Sequence, residues 1–94
     1  MTEGLERLTA VVKIVNKKGL HARASAKIVE AAARFQSQIS IIKDGQSVDA
    51  RSIMGLMMLA ASMGSEIKIE AEGPDAEEAL RAILALVEAK FGED

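Results

Sequence analysis

The apolar residues of this chain change their spacing along its length, and that change restricts it to alternating strands and helices. From Leu8 to Val15 the segment is rich in β-branched residues, with Leu8, Ala10, Val12 and Ile14 on alternate positions, which predicts a strand buried on one face. After the polar stretch Asn16-Lys17-Lys18-Gly19, an alanine-rich run from Ala22 to Phe35 sets Ser25, Ile28, Val29 and Ala32 on one face of a helix. Ile39, Ile41 and Ile42 then precede Asp44-Gly45, a pair that tolerates the positive φ angles of a type I′ turn, so two short antiparallel strands should meet there. Ser52 can cap a second helix that runs through Leu59 towards Gly64, a left-handed terminator. Glu66 to Ala71 returns to alternation through Ile67, Ile69 and Ala71. Asp75 and Glu78 then make a capping-box pattern after Pro74, and Ala79, Leu80, Ile83, Val87 and Lys90 continue at helical spacing.

The element order is strand, helix, strand, strand, helix, strand, helix, which predicts an α+β sandwich: an antiparallel or mixed sheet covered on one face by helices. Strand pairing order does not follow from spacing. The 94 residues suit one domain over residues 1–94, without linkers or repeats. Aromatic residues make up only 2% of the chain, as Phe35 and Phe91, so Ile, Leu, Val, Met and Ala must build a close-packed core.

Composition excludes several classes of function. A net charge of -2 and the shortage of base-stacking aromatics argue against nucleic acid as a partner, and against an RNA- or small-molecule-binding sandwich. Without cysteine there is neither a disulfide framework nor a thiolate metal site, and a lone histidine gives no two-histidine spacing, so no metal is expected. Residues 1–6 lack the layout of a signal peptide, and no apolar run reaches membrane-spanning length, so the expectation is a cytoplasmic protein with no membrane insertion. Nucleophile elbow, Walker loop and dinucleotide-binding glycines are all missing. Stand-alone catalysis is not expected, nor is a cofactor.

The unusual place is the start of the first helix. His21 stands at the boundary, and Lys17, Lys18, Arg23 and Lys27 crowd an end whose free amides already carry partial positive charge. Histidine is also a weaker cap than Ser, Thr, Asp or Asn, at a cost of roughly 1 kcal/mol. Two local rules are broken at one site, and the result suits an anion, of which phosphate is the commonest biological one. Imidazole is largely neutral near pH 7 and keeps a lone pair on one nitrogen, so it can itself be the nucleophile that takes a phosphoryl group. A lone histidine beside basic residues is more often an ordinary solvated loop residue.

Gly19-Leu20-His21-Ala22-Arg23-Ala24-Ser25 resembles the active-site segment of the HPr family of phosphotransferase-system carriers, and Ser52-Ile53-Met54-Gly55-Leu56-Met57 resembles that family's second-helix segment. The similarity extends over nearly the whole chain. It implies an open-faced sandwich of order βαββαβα, with a four-stranded antiparallel sheet and three helices on one side. It further implies a phosphohistidine at His21 Nδ1, received from enzyme I after that enzyme is charged by phosphoenolpyruvate, with Arg23 paired to the phosphate and an enzyme IIA as acceptor. One departure is Ala24, where many members have proline; alanine takes helical angles and adds an amide donor, so the site should survive.

Ser52 has two readings: from its own chemistry a helix cap, and by the resemblance a counterpart of the regulatory serine phosphorylated by HPr kinase/phosphorylase. Ile53, Met54, Leu56, Met57, Met58 and Leu59 cover more of the second helix than one core stripe requires. Leu56 and Leu59 fit the core, while the resemblance makes Ile53, Met54 and Met57 a partner-docking surface, for which adaptable methionines are suited. The expected protein is thus a monomeric phosphoryl carrier with no turnover of its own. The alternative is an HPr-fold regulatory binding domain that acts through Ser52 and protein contacts.

Overall fold

In the computed structural model, which describes residues 6–93, β1 (Glu6–Lys13) and β4 (Glu66–Gly73) pair antiparallel along their full lengths. Their register aligns Leu8 with Ala71, Ala10 with Ile69 and Val12 with Ile67, so the alternate apolar positions of both strands fall on one face. On its other side β4 pairs with β2 (Gln38–Lys43), where Ile39 meets Ala71 and Ile41 meets Ile69. The short β3 (Gln46–Asp49) completes a four-stranded sheet of order β1-β4-β2-β3, antiparallel at every pairing. The last strand of the sequence is therefore central, and both its neighbours stabilise it.

The predicted hairpin forms at Asp44 and Gly45, whose φ angles of 51° and 80° are both positive, as the I′ turn requires. Helices α1 (Ala22–Ala32), α2 (Ile53–Met58) and α3 (Ala76–Glu88) cover the apolar face. Ile28 of α1, Leu56 of α2 and Ile83 of α3 are completely buried with Ile41 and Ile69 of the sheet. On the opposite face Thr9, Val11, Lys68 and Glu72 are exposed. These features are those of the open-faced βαββαβα sandwich.

Several element ends differ from expectation: β1 begins and ends two residues earlier than Leu8–Val15, β4 runs two residues beyond Ala71, and α3 stops at Glu88 rather than Lys90. α1 stops at Ala32 rather than Phe35, because Arg34 and Phe35 donate to the carbonyls three residues back and tighten the last turn. Arg51 Nη2 then donates to the carbonyls of Ala32, Phe35 and Ser37 at 3.0, 2.7 and 3.3 Å, supplying a cation where the helix end is negative. α2 ends at Met58, and Ala60, with φ 52°, makes the left-handed exit assigned in the sequence to Gly64. Asp75 does not close a capping box; its carboxylate accepts from the Ser37 hydroxyl and the amides of Gln36 and Ser37, so it fastens α3 to the segment before β2.

Candidate functional site

Four residues after the first strand's apolar run ends, Gly19 takes φ 62° and brings the chain against the segment that follows α2. Leu20 N donates to the Ala61 carbonyl at 2.9 Å, which fixes that contact. The next residue, His21, is the N-cap of α1 with an extended backbone, and its carbonyl accepts the first helical bond, from Ser25 N at 2.9 Å. The buried Ser25 hydroxyl donates to Leu20 O at 3.1 Å and locks the entry to the helix. The sequence expectation of a weak cap is met in a particular way: His21 Nδ1 accepts from Arg23 N at 3.3 Å, at the long end of the hydrogen-bond range.

The other ring nitrogen has a partner that sequence reasoning missed. Nε2–H of His21 donates to Oε2 of Glu93, 72 residues further along the chain. An ionised carboxylate only accepts hydrogen bonds, and Nδ1 needs a lone pair to accept from the Arg23 amide. The neutral Nε2–H tautomer satisfies both contacts at once. The His21 hydrogen bond, chiefly, together with that from Asn16, holds the Glu93 carboxyl below its ordinary 4.5, against the opposing effect of burial.

Glu93 reaches this position through a short 3-10 turn at Lys90–Gly92, in which Lys90, Phe91 and Gly92 have φ angles of 57°, 55° and 78°. Left-handed backbone costs about 1–2 kcal/mol at each non-glycine residue. Phe91 offsets part of this, since its ring is only 1% exposed and burial of such a side chain stabilises by about 1.5–3 kcal/mol. Lys27 Nζ also donates to the Phe91 carbonyl and ties the turn to α1. Asn16, itself buried, donates from Nδ2 to Gly19 O at 2.9 Å and to Glu93 Oε1 at 3.2 Å.

On the far side of Glu93, the partner of the imidazole, lies an open hollow of about 360 Å³ lined by Lys17, Lys18, Arg23, Lys27, Phe91, Gly92 and Glu93, with His21 itself outside the lining. All four basic residues that the sequence placed near His21 therefore meet in one concavity. Arg23 is exposed, and among the described residues its guanidinium forms no ion pair. Cations gathered near the amide end of a helix are an arrangement that can accept a compact anion. Ala24 is buried at the expected helical position.

Ser52 caps α2, with Oγ accepting from Gly55 N at 3.0 Å. Ile53, Met54 and Met57 are 42%, 75% and 44% exposed, whereas Leu56 and Leu59 are buried in the core. Met58 and Met63 are also exposed, which adds apolar surface on the same element and the loop after it. Because α1 packs on α2 and the 61–62 segment abuts Gly19, this apolar surface belongs to the element adjoining the His21 loop. Among the described residues no helix is long and apolar enough to cross a membrane.

A family model for the PTS HPr component phosphorylation site matches residues 8–89. The phosphocarrier protein HPr of Cupriavidus necator is 55% identical over 80 residues, covering 85% of this chain and 90% of that protein. The crystal structure of HPr-C-His from Thermoanaerobacter tengcongensis is similar with a TM-score of 0.89 at 48% identity, over 93% of this chain and 98% of the other. An HPr dimer from the same organism is similar with a TM-score of 0.74 at 51% identity, over 87% and 94% of the two chains.

Proposed function

The chain belongs to the HPr family of the phosphotransferase system, and on that premise we propose that it is a phosphocarrier whose phosphoryl group rides on His21 Nδ1. The single observation behind this reading is the placement of that nitrogen. It keeps its lone pair at the amide end of α1, with Arg23 and three lysines lining the adjacent hollow. An incoming phosphoryl group would exchange the long Arg23 amide bond for contacts to its own oxygens, and the helix end contributes roughly half a positive charge towards its dianion. Arg23, exposed and without an ion pair among the described residues, is the cation that pairs with the transferring group.

Enzyme I is the donor in this reading and an enzyme IIA the acceptor, with the carrier supplying a nucleophile and a shaped cationic surface rather than turnover. The setting is cytoplasmic. Incubation with enzyme I and labelled phosphoenolpyruvate tests it: the parent should take up acid-labile, base-stable label, and His21→Ala should stay folded and take up none. Label retained by His21→Ala would sink the assignment.

Ile53, Met54 and Met57 form the docking surface for these proteins, and Ser52 beside them is a regulatory phosphorylation site for an HPr kinase/phosphorylase. Phosphate there would put charge at the rim of an apolar contact and weaken docking. We further expect a monomer, which presents the His21 side to one protein after another. A dimer occurs among the relatives, so sedimentation of the parent is the direct check; a stable dimer at micromolar concentration would contradict this expectation.

A further inference from the structure

We propose that Glu93 is a positioning residue for phosphoryl transfer: its carboxylate holds the His21 ring in the Nε2–H tautomer and offsets the positive charge that the ring gains when Nδ1 bonds to phosphorus. This rests on the carrier reading of His21 and assigns a role to a residue that the family-like motifs of the sequence do not contain.

The geometry has three parts. Nε2–H donates to Glu93 Oε2, so the proton of the neutral imidazole resides on the nitrogen away from the Arg23 amide at the start of α1, and Nδ1 retains its lone pair. Asn16, 1% exposed, grips the second carboxylate oxygen and Gly19 O with one amide group, which ties Glu93 to the loop that carries the histidine. The run of left-handed residues from Lys90 to Gly92, anchored by buried Phe91 and by Lys27 on its carbonyl, turns the chain so that Glu93 arrives at the ring. Non-glycine residues keep such backbone only where surrounding contacts impose it, and such strain gathers at functional sites.

In the transfer step the Nδ1 lone pair forms the N–P bond while the bond from phosphorus to the donor breaks, its electron pair leaving with the donor. Nε2 keeps its proton, so the ring becomes cationic beside a carboxylate that is already in place. Return of the phosphoryl group to an acceptor restores the neutral ring. Without Glu93 the ring can move its proton to Nδ1, where no lone pair is left for phosphorus. The charged groups that line the hollow together with Glu93 are, among the described residues, Lys17 and Lys18 from the preceding loop and Arg23 and Lys27 from α1. All four are cations and favour the phosphoryl group rather than the ring charge, and Glu93 is the carboxylate that, among the described residues, contacts the ring and opposes that charge.

The test is long-range ¹H–¹⁵N NMR of the His21 ring in the parent, Glu93→Ala and Glu93→Gln, with phosphoryl uptake from enzyme I measured on the same samples. The parent should show a single Nε2–H tautomer. Glu93→Ala should show a mixture and accept phosphoryl about tenfold more slowly or worse, as loss of a charge-assisted hydrogen bond implies. Glu93→Gln, whose amide oxygen still accepts from Nε2–H, should keep the tautomer and transfer at an intermediate rate, a separation that a purely structural role would not produce. Failure of the parent to accept phosphoryl on His21 would overturn the carrier reading and this one with it. Normal acceptance by the parent, with the same tautomer and rate in Glu93→Ala, would overturn this one alone.

Discussion

A β-carbon placed on Gly19 would lie 2.3 Å from the carbonyl oxygen of Ala61, closer than any side chain can approach backbone without displacing it. That oxygen accepts from Leu20 N, so the contact joins the loop that carries His21 to the segment beyond α2. Gly19→Ala therefore meets two penalties, a left-handed φ and a steric clash with backbone. The expected loss is more than about 2 kcal/mol, or a fall in melting temperature of roughly ten degrees for a domain of this size. Phosphoryl uptake should drop as well, because His21 is two residues from the displaced atoms. A melting curve that matches the parent would show that the loop yields without cost.

Arg23 separates transfer from stability. Its side chain is exposed and forms no ion pair among the described residues, so Arg23→Ala should melt like the parent. Transfer should slow by on the order of tenfold or more, the equivalent of a charge-assisted contact of ~1.5–3 kcal/mol. Rapid-quench kinetics against enzyme I give the rate; an unchanged value would move the role to Lys17, Lys18 or the helix amides.

Asp75 sets part of the acid sensitivity of the fold. The Ser37 hydroxyl, first, and then the Gln36 amide hold its carboxyl below the ordinary 3.8, with burial acting in the opposite sense. A group whose folded pKa is depressed contributes stability that is complete above the unfolded value and is lost as pH falls through the folded one. Asp75→Asn should accordingly be less stable than the parent at neutral pH, with the difference shrinking below pH 3.8. Urea titrations of both proteins across that range supply the comparison; a difference that stays constant with pH would rule out the ionised carboxylate as the fastening group.

What could be read from the sequence was whatever depends on near neighbours. Alternation in β1 and β4, the Asp44-Gly45 hairpin and the buried face of α1 all follow from spacing or from the φ preferences of single residues, and the structure contains each of them. The basic residues around His21 were also legible, because Lys17, Lys18, Arg23 and Lys27 lie within one loop and one helical turn and a half. Long-range pairings were not. Asp75 reads locally as half of a capping box, yet its carboxylate accepts from the Ser37 hydroxyl and amide, 38 residues away, and from the Gln36 amide rather than from the amides of the α3 first turn. Glu93 carries no signal at all, since only the left-handed turn around Phe91 brings it to the imidazole. The placement of β4 between β1 and β2 likewise follows from no pattern within the strands.

Ser52 can be dissected with two substitutions. Ser52→Ala loses the hydrogen bond to Gly55 N, at roughly 1 kcal/mol of stability, and keeps the neighbouring surface apolar, so it should transfer phosphate normally. Ser52→Asp retains an acceptor for the cap but places a charge next to Ile53 and Met54, which enzyme I would have to desolvate. It should melt near the parent and bind enzyme I more weakly. Calorimetric titration decides between a cap with a regulatory role and a cap alone: equal affinities for Ser52→Asp and the parent would leave only the cap.

The most direct measurement is the site of the phosphoryl group itself. After incubation with enzyme I and phosphoenolpyruvate, ³¹P–¹⁵N NMR of ring-labelled protein reports which nitrogen is bonded to phosphorus. With Nε2–H held by Glu93 and the Nδ1 lone pair beside Arg23 N, the account predicts a single adduct on His21 Nδ1. Phosphorus on Nε2, or on any residue other than His21, would contradict it.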